Sequence, residues 1–302
     1  MSQTPITDND LEFDKLWNYN KPEETAEKFR EILSKIKETG DKSAYLQLLT
    51  QLARTQSLQM NFDEANKILD EVEPQLLTDD LKLAKIRYLL ERGRTYNSSN
   101  QKEKARELFL KAFELGRDAG DEVYDFYTID AAHMLGIAET PEEAIKWNEK
   151  GMELAEKSKD ERSKGWLGAL YNNTAWTYHD EKEYAKALAL FEKNVKWQAG
   201  RNNDQKLIIA KWSVGRALRS LGKIDEAVKI HNELLKEIED KNLQEDGYIY
   251  EELGECYLIL GKKEESKKNF KTAYELLSKD IWLAEYEKER LERMKKLSMN
   301  YD

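Results

Sequence analysis

"YEELGECYLILGKKEESKKNFKTAYELL", residues 250–277, carries two small residues twelve positions apart, Gly254 and Ser266, with a large aromatic, Phe270, four positions further on. The same trio recurs along the chain. Ala65, Ala105, Ala144, Ala187 and Ala227 lead up to Ser266 at steps of 40, 39, 43, 40 and 39 residues. Twelve positions before each lies another small residue: Ala53, Gly93, Ala132, Ala175, Gly215 and Gly254. Four positions after come Leu69, Phe109, Phe191 and Phe270, with Asn148 and His231 as departures. Three unrelated features that share one period mark an internal repeat, which has to be recognised before any other reading of the fold.

Between the two small positions runs a turn, as in "YNSSNQKEKA" (96–105), "YHDEKEYAKA" (178–187) and "LGKIDEA" (221–227). Each unit therefore reads as helix, tight turn, helix. Thr140-Pro141-Glu142-Glu143 predicts how one second helix starts, with a Thr N-cap, Pro at the first helical position and a Glu placed to close a capping box. The small residues have a steric reason as well. Two helices joined by so short a turn cross closely, and Ala or Gly at the crossing admits an approach that Leu would block.

These residues resemble the tetratricopeptide repeat. Tyr250, Leu253, Gly254, Tyr257, Gly261, Phe270 and Ala273 stand where that pattern has an aromatic, Leu, Gly, Tyr, Gly, an aromatic and Ala, and Ser266 departs mildly from its Ala. "RYLLERGRTYNSSNQKEKARELFLKAFEL" (87–115) matches nearly as well, whereas 125–158 diverges, with Asn148 and Gly151 at the aromatic and Ala positions. Units of 39–43 residues are longer than the usual 34 and resemble the long-repeat branch of kinesin light chains and bacterial peptide-sensing regulators. The resemblance implies an all-α fold, a right-handed superhelical α-solenoid of antiparallel helix pairs. It divides the chain into a flexible tail (1–10) and a single solenoid domain (11–302). That domain comprises a shortened first repeat (11–40), six full repeats (41–279) and a capping helix (280–299) opening on Asp280 as N-cap.

Composition narrows the function. The chain has 302 residues, a mean hydropathy of −0.83 and 36% charged residues, yet 40% are apolar, which is too many for a disordered chain and suits a thin core along a long shape. With 14 Gly and 4 Pro, the latter placed where helices begin or end, the composition is helical. Cys256 is the one cysteine, no signal peptide and no membrane-spanning run is seen, and the expected compartment is the cytoplasm. The net charge of −10 comes from interleaved acids and bases, so neither nucleic acid nor membrane is an expected partner. No phosphate loop, G-x-S-x-G elbow or HExxH occurs, and His133, His179 and His231 lie in three different repeats, so the expectation is no catalysis, no metal and no cofactor.

Each first helix shows two stripes. Tyr171, Thr174, Ala175 and Tyr178 share the core face, while Ala169, Asn172, Trp176 and His179 recur at helical spacing on another. In the family that second stripe lines a concave groove where extended peptides bind. Read at one register in six repeats, it comprises thirty positions holding 5 of the 13 Arg and none of the 36 Lys. Arg among aromatics and Asn is the chemistry that recognises planar carboxylates and stacks on rings, whereas Lys suits a solvated face. The candidate ligand-binding residues are Arg54, Arg87, Arg94, Asn97, Phe126, His133, Asn172, Trp176, His179, Trp212, Arg216 and Arg219. Of the remaining Trp, the expectation for Trp17, Trp147, Trp166, Trp197 and Trp282 is packing between repeats. The competing structural reading is that the arginines pair with acids on neighbouring repeats, such as Glu91.

Three functions fit: an adaptor or scaffold holding a partner's extended, acidic or carboxylate-ended peptide; a regulator gated by a small peptide; and a helical-repeat RNA reader, disfavoured by Glu251 and Glu255 in the last stripe. Self-association through an end repeat stays open. Asn172 and Asn173, a pair inside a helix that such residues disfavour, resemble an "NN-x-A" segment of kinesin-light-chain-like repeats whose amides hold peptide backbone or a neighbouring repeat.

Overall fold

The computed structural model describes residues 13–299, so the tail expected over residues 1–10 lies outside the described residues. Every regular element among them is helical, and none is long and apolar enough to cross a membrane. The helices are α1 (Pro22–Thr39), α2 (Lys42–Leu58), α3 (Phe62–Val72), α4 (Lys82–Ser98), α5 (Lys102–Ala119), α6 (Asp125–Ala138), α7 (Pro141–Lys157), α8 (Leu167–Asp180), α9 (Tyr184–Ala199), α10 (Asp204–Ser220), α11 (Ile224–Asp240), α12 (Gly247–Ile259), α13 (Lys263–Leu277), α14 (Ile281–Tyr286) and α15 (Lys288–Met299). The six expected pairs are α2/α3, α4/α5, α6/α7, α8/α9, α10/α11 and α12/α13. The chain forms two compact units, Met1–Leu170 and Tyr171–Asp302.

In each unit the core follows the repeat. In the first, Ala53, Ala65, Leu69, Ala105, Phe109 and Ala132 are fully buried; in the second, so are Ala175, Ala187, Phe191, Ala227, Phe270 and Ala273. The large residue four places after the second small one lies against the first small one. A Cβ added to Gly93 would stand 2.5 Å from the Phe109 ring, and one added to Gly254 3.0 Å from Phe270. Glycine at 93 is thus what admits the phenylalanine; burying such a ring stabilises by roughly 1.5–3 kcal/mol.

Five of the six turns inside the pairs share one conformation. Met60, Asn100, Lys182, Gly222 and Gly261, each seven residues after the first small residue, have φ of 63, 62, 63, 78 and 70°. The following N–H reaches back five residues in every case: Asn61 to the Gln56 carbonyl, Gln101 to Tyr96, Glu183 to Tyr178, Lys223 to Leu218 and Lys262 to Tyr257. This is a Schellman closure, which satisfies carbonyls that the helix end would otherwise strand. The sixth turn differs because of Pro141. A residue before proline is excluded from the helical region, and Thr140 is extended with ψ of 158°. Its side chain makes no capping hydrogen bond, so the expected capping box is absent while Pro141 does occupy the first turn.

The twelve-residue interval between small residues never varies, and all variation in repeat length falls between repeats. The longest join, between Ala144 and Ala175, contains a short extra helix, Glu161–Lys164, capped by Asp160, whose carboxylate accepts from the Arg162 and Ser163 N–H groups. After residue 280 the chain makes two helices rather than one, α14 and α15, separated at Glu287. Asp280 does cap α14, accepting from the Leu283 N–H.

Candidate functional site

A chamber of about 900 Å³ opens in the first unit, walled by α2, α4 and α6, by the turn Phe13–Tyr19, and by Arg162 and Trp166. Six of the sequence-predicted residues meet there: Arg54, Arg87, Arg94, Asn97, Phe126 and His133. They converge because equivalent register positions on successive first helices share one face. The stripe positions are followed, one residue after their second member, by a row the stripe reading left out: Gln51, Glu91, Asp130, Asn173, Ser213 and Glu252. Its acids take up much of the arginine charge. Arg94 donates to Glu91 Oε1 at 2.9 Å and also binds Asp130. Of these, Arg94–Asp130 joins neighbouring repeats as the competing reading expects, whereas Arg94–Glu91 lies within α4; Glu91 reaches a neighbouring repeat through Arg54.

The arginines are not equally engaged. Arg87 is buried and donates to both oxygens of Asp14, at 3.0 and 2.6 Å, and to the Tyr127 hydroxyl at 2.6 Å. Its guanidinium also lies over the rings of Phe13 and Tyr127. Arg162 donates to Asp14 at 2.7 Å and stacks 3.8 Å from the centre of Phe126. Burial alone would raise the Asp14 pKa, but the Arg87 and Arg162 charges and hydrogen bonds outweigh it and hold the carboxyl below its ordinary range. Arg54 contrasts with these. It has no hydrogen bond among the described residues, its Nε stands 3.7 Å from Glu91 Oε2, and burial pulls its pKa down. Five cations and three carboxylates line the chamber in all. Arg87 Nε, Glu91 Oε2, His133 Nδ1 and Trp166 Nε1, all on lining residues, are buried without a hydrogen-bond partner among the described residues. Such atoms carry a cost of about 1–3 kcal/mol each.

The aromatic wall is larger than the sequence suggested. Trp17 and Trp166, expected only to pack between repeats, line the chamber with Tyr19. Trp17 stacks on Tyr19 at 4.7 Å and donates to Gln51 at 3.1 Å; Trp166 lies 5.2 Å from His133 and 5.5 Å from Phe126. Burial lowers the His133 pKa, leaving the ring neutral at pH 7. Trp17 precedes the full repeats and Arg162 lies in the join between α7 and α8, off the stripe register, so register counting could not find them. The side chain of Trp282 lies outside those described.

The other predicted residues belong to the second unit, where contacts inside the unit hold most of them. Trp176 and Trp212 lie 5.9 Å apart, and Trp212 Nε1 donates to the Tyr248 carbonyl at 3.2 Å. Arg219 makes a bidentate pair with Glu252, at 2.6 and 2.9 Å, and Arg216 donates to Ser220 at 2.6 Å. The Ser220 hydroxyl also sits 2.9 Å from His179 Nε2. Asn172 is half-buried, with no hydrogen bond to its amide among the described residues. Asn173 takes part through its carbonyl, which accepts from Thr177 at 3.0 Å.

Paired helices repeated at one register, with the close crossings at their small residues, define a helical-repeat protein. The tetratricopeptide repeat model matches residues 86–118 and 247–278, so these two stretches are tetratricopeptide repeats, and the other helix pairs follow the same register. No curated protein matches the chain in sequence. Its fold is similar to the nearly identical tetratricopeptide-like repeats of a kinesin light chain from Podosopora anserina (TM-score 0.55, 19% identity, 68% of this chain and 100% of that one). It is also similar to a signal-transduction ATPase with a tetratricopeptide repeat sensor from Pyrococcus horikoshii (0.68, 17%, 89% and 41%). A third neighbour is RapI in its apo form (0.69, 13%, 89% and 76%).

Proposed function

We propose that the chamber of the first unit binds an extended acidic segment of another protein, which makes the chain an interaction scaffold of the kind its fold supports. The observation that carries this is charge. A chain of net charge −10 gathers four arginines and Lys15 around one chamber against three carboxylates, and lines it with aromatic faces. Arginine forks suit carboxylates, and the rings supply the apolar contact that fixes orientation. Arg54 leaves guanidinium donors for a ligand. In this reading the chain performs no catalysis and works in the cytoplasm on a protein partner, since an acidic surface repels nucleic acid and anionic lipid alike. Asn172, Trp176, His179, Trp212, Arg216 and Arg219 then serve mainly to tie the second unit together.

The test is fluorescence anisotropy with a labelled decapeptide rich in Asp and Glu, on the full chain and on Arg54→Glu. Arg54 is in no hydrogen bond among the described residues, so the substitution reverses one wall charge without breaking one, and circular dichroism checks that the fold survives the carboxylate it sets beside Glu91. Binding weakened at least ten-fold is expected, and weakened again by added salt. Equal affinity for the two proteins would remove the chamber from consideration.

A further inference from the structure

The chamber already holds a carboxylate, and the segment that bears it belongs to the chain itself. Phe13–Leu16 is a single 3-10 turn, and Trp17 follows it. Asp14 is held by Arg87 through two hydrogen bonds, by Arg162 and by the Tyr127 hydroxyl, which stands 3.2 Å from Oδ2. Phe13 is buried under the Arg87 guanidinium and edge-on to Phe29. Trp17 packs edge-on to the same Phe29 and donates to Gln51. The segment therefore engages α1, α2, α4, α6 and the extra helix at once, by side chains of three kinds set in fixed order.

Resting on the reading above, we propose that Arg87, Tyr127 and Arg162 form the carboxylate subsite of the chamber. Its ligand is a protein segment with an aspartate directly after an aromatic residue and a tryptophan three residues later. Phe13–Trp17 is the resident copy of that ligand, and a partner binds by displacing it. Three features support this. The Asp14 side chain keeps a quarter of its surface exposed although three groups grip it, so the subsite is reachable from solvent. The resident is a four-residue turn, too short to be a stable helix by itself. The ring of Phe126, which lines the chamber, stacks on Arg162 and fixes that arm of the clamp. A tethered occupant competes at an effective concentration on the order of millimolar, so an occupant whose own intrinsic affinity is micromolar weakens every free ligand about a thousand-fold. Removing its carboxylate lifts that competition.

The experiment uses an N-terminally labelled peptide "LEFDKLWNYN", the sequence of residues 11–20, titrated against the full chain and against Asp14→Ala. The expected result is binding at least ten-fold tighter to Asp14→Ala, with the gain abolished when the aspartate of the peptide is replaced by asparagine. Equal affinity for both proteins, or no binding to either with both folded by circular dichroism, overturns the proposal. If Asp14→Ala fails to fold, amide exchange on the unsubstituted chain decides: saturating peptide should speed exchange over residues 13–19, and unchanged exchange there overturns it. A decapeptide of Asp and Glu without aromatics separates the two readings. If it binds both proteins alike and is weakened by Arg54→Glu, the chamber stands as an acidic-segment site and the resident copy does not.

Discussion

His231 occupies the position where three other repeats place phenylalanine, fully buried, its ring 2.5 Å from where a Cβ on Gly215 would stand. Neither ring nitrogen has a partner among the described residues. Burial, against the pull of Glu252 and with the push of Arg219, takes its pKa from 6.5 down to about 4. The unfolded chain then binds more protons between those values, so stability is full above pH 6.5 and lost as pH falls toward 4. His231→Phe should flatten that acid limb, a difference on the order of 2–3 kcal/mol between pH 7 and pH 4 in urea unfolding; an unaltered limb would show that the ring is not its source. Cys256 is buried equally, with its thiol pushed up to about 12, and should resist maleimide until the chain unfolds. At this scale the sequence was half legible. The arginine stripe stands out by composition, but that Arg54 only faces Glu91 at 3.7 Å while Arg94 is hydrogen-bonded depends on rotamers and on acids one register position away, which periodicity does not encode.

The helix pairs were more legible, because their cause is local. A glycine that must admit a ring, and a turn that must reverse the chain in a few residues, leave marks at fixed intervals. The turn's backbone conformation was the hidden part: Met60, Asn100 and Lys182 adopt the left-handed region without being glycine, at a cost of roughly 1 kcal/mol each relative to Gly. Lys182→Gly should therefore stabilise the second unit by up to about 1 kcal/mol in chemical denaturation, offset in part by the greater freedom of glycine in the unfolded chain. The same change at Glu139, in the turn before Pro141, should destabilise, since the backbone there is extended with φ of −97°. The break at Glu287 was not legible, as the helical pattern of residues 280–299 runs straight through it.

Within each unit most contacts run between helices one or two places apart in the chain, so a local defect should stay local. Phe270→Ala, which empties a fully buried site and costs about 3–5 kcal/mol, should speed amide exchange in α12 to α15 and leave α2 to α5 at their original rates. Uniform acceleration would contradict this. The repeat period was plain in the sequence at this scale, whereas the chamber was only partly so, because two of its walls come from outside the period. That outcome follows from the invariant twelve-residue interval. A chain built from one repeated unit keeps the length of its turns even where Pro141 changes their conformation, since adding a single residue there would swing the second helix about 100° around its axis. Novelty can enter only at the joints. The widest joint is the one that supplies Arg162 and Trp166, so what is individual about this protein was written where the repetition left room.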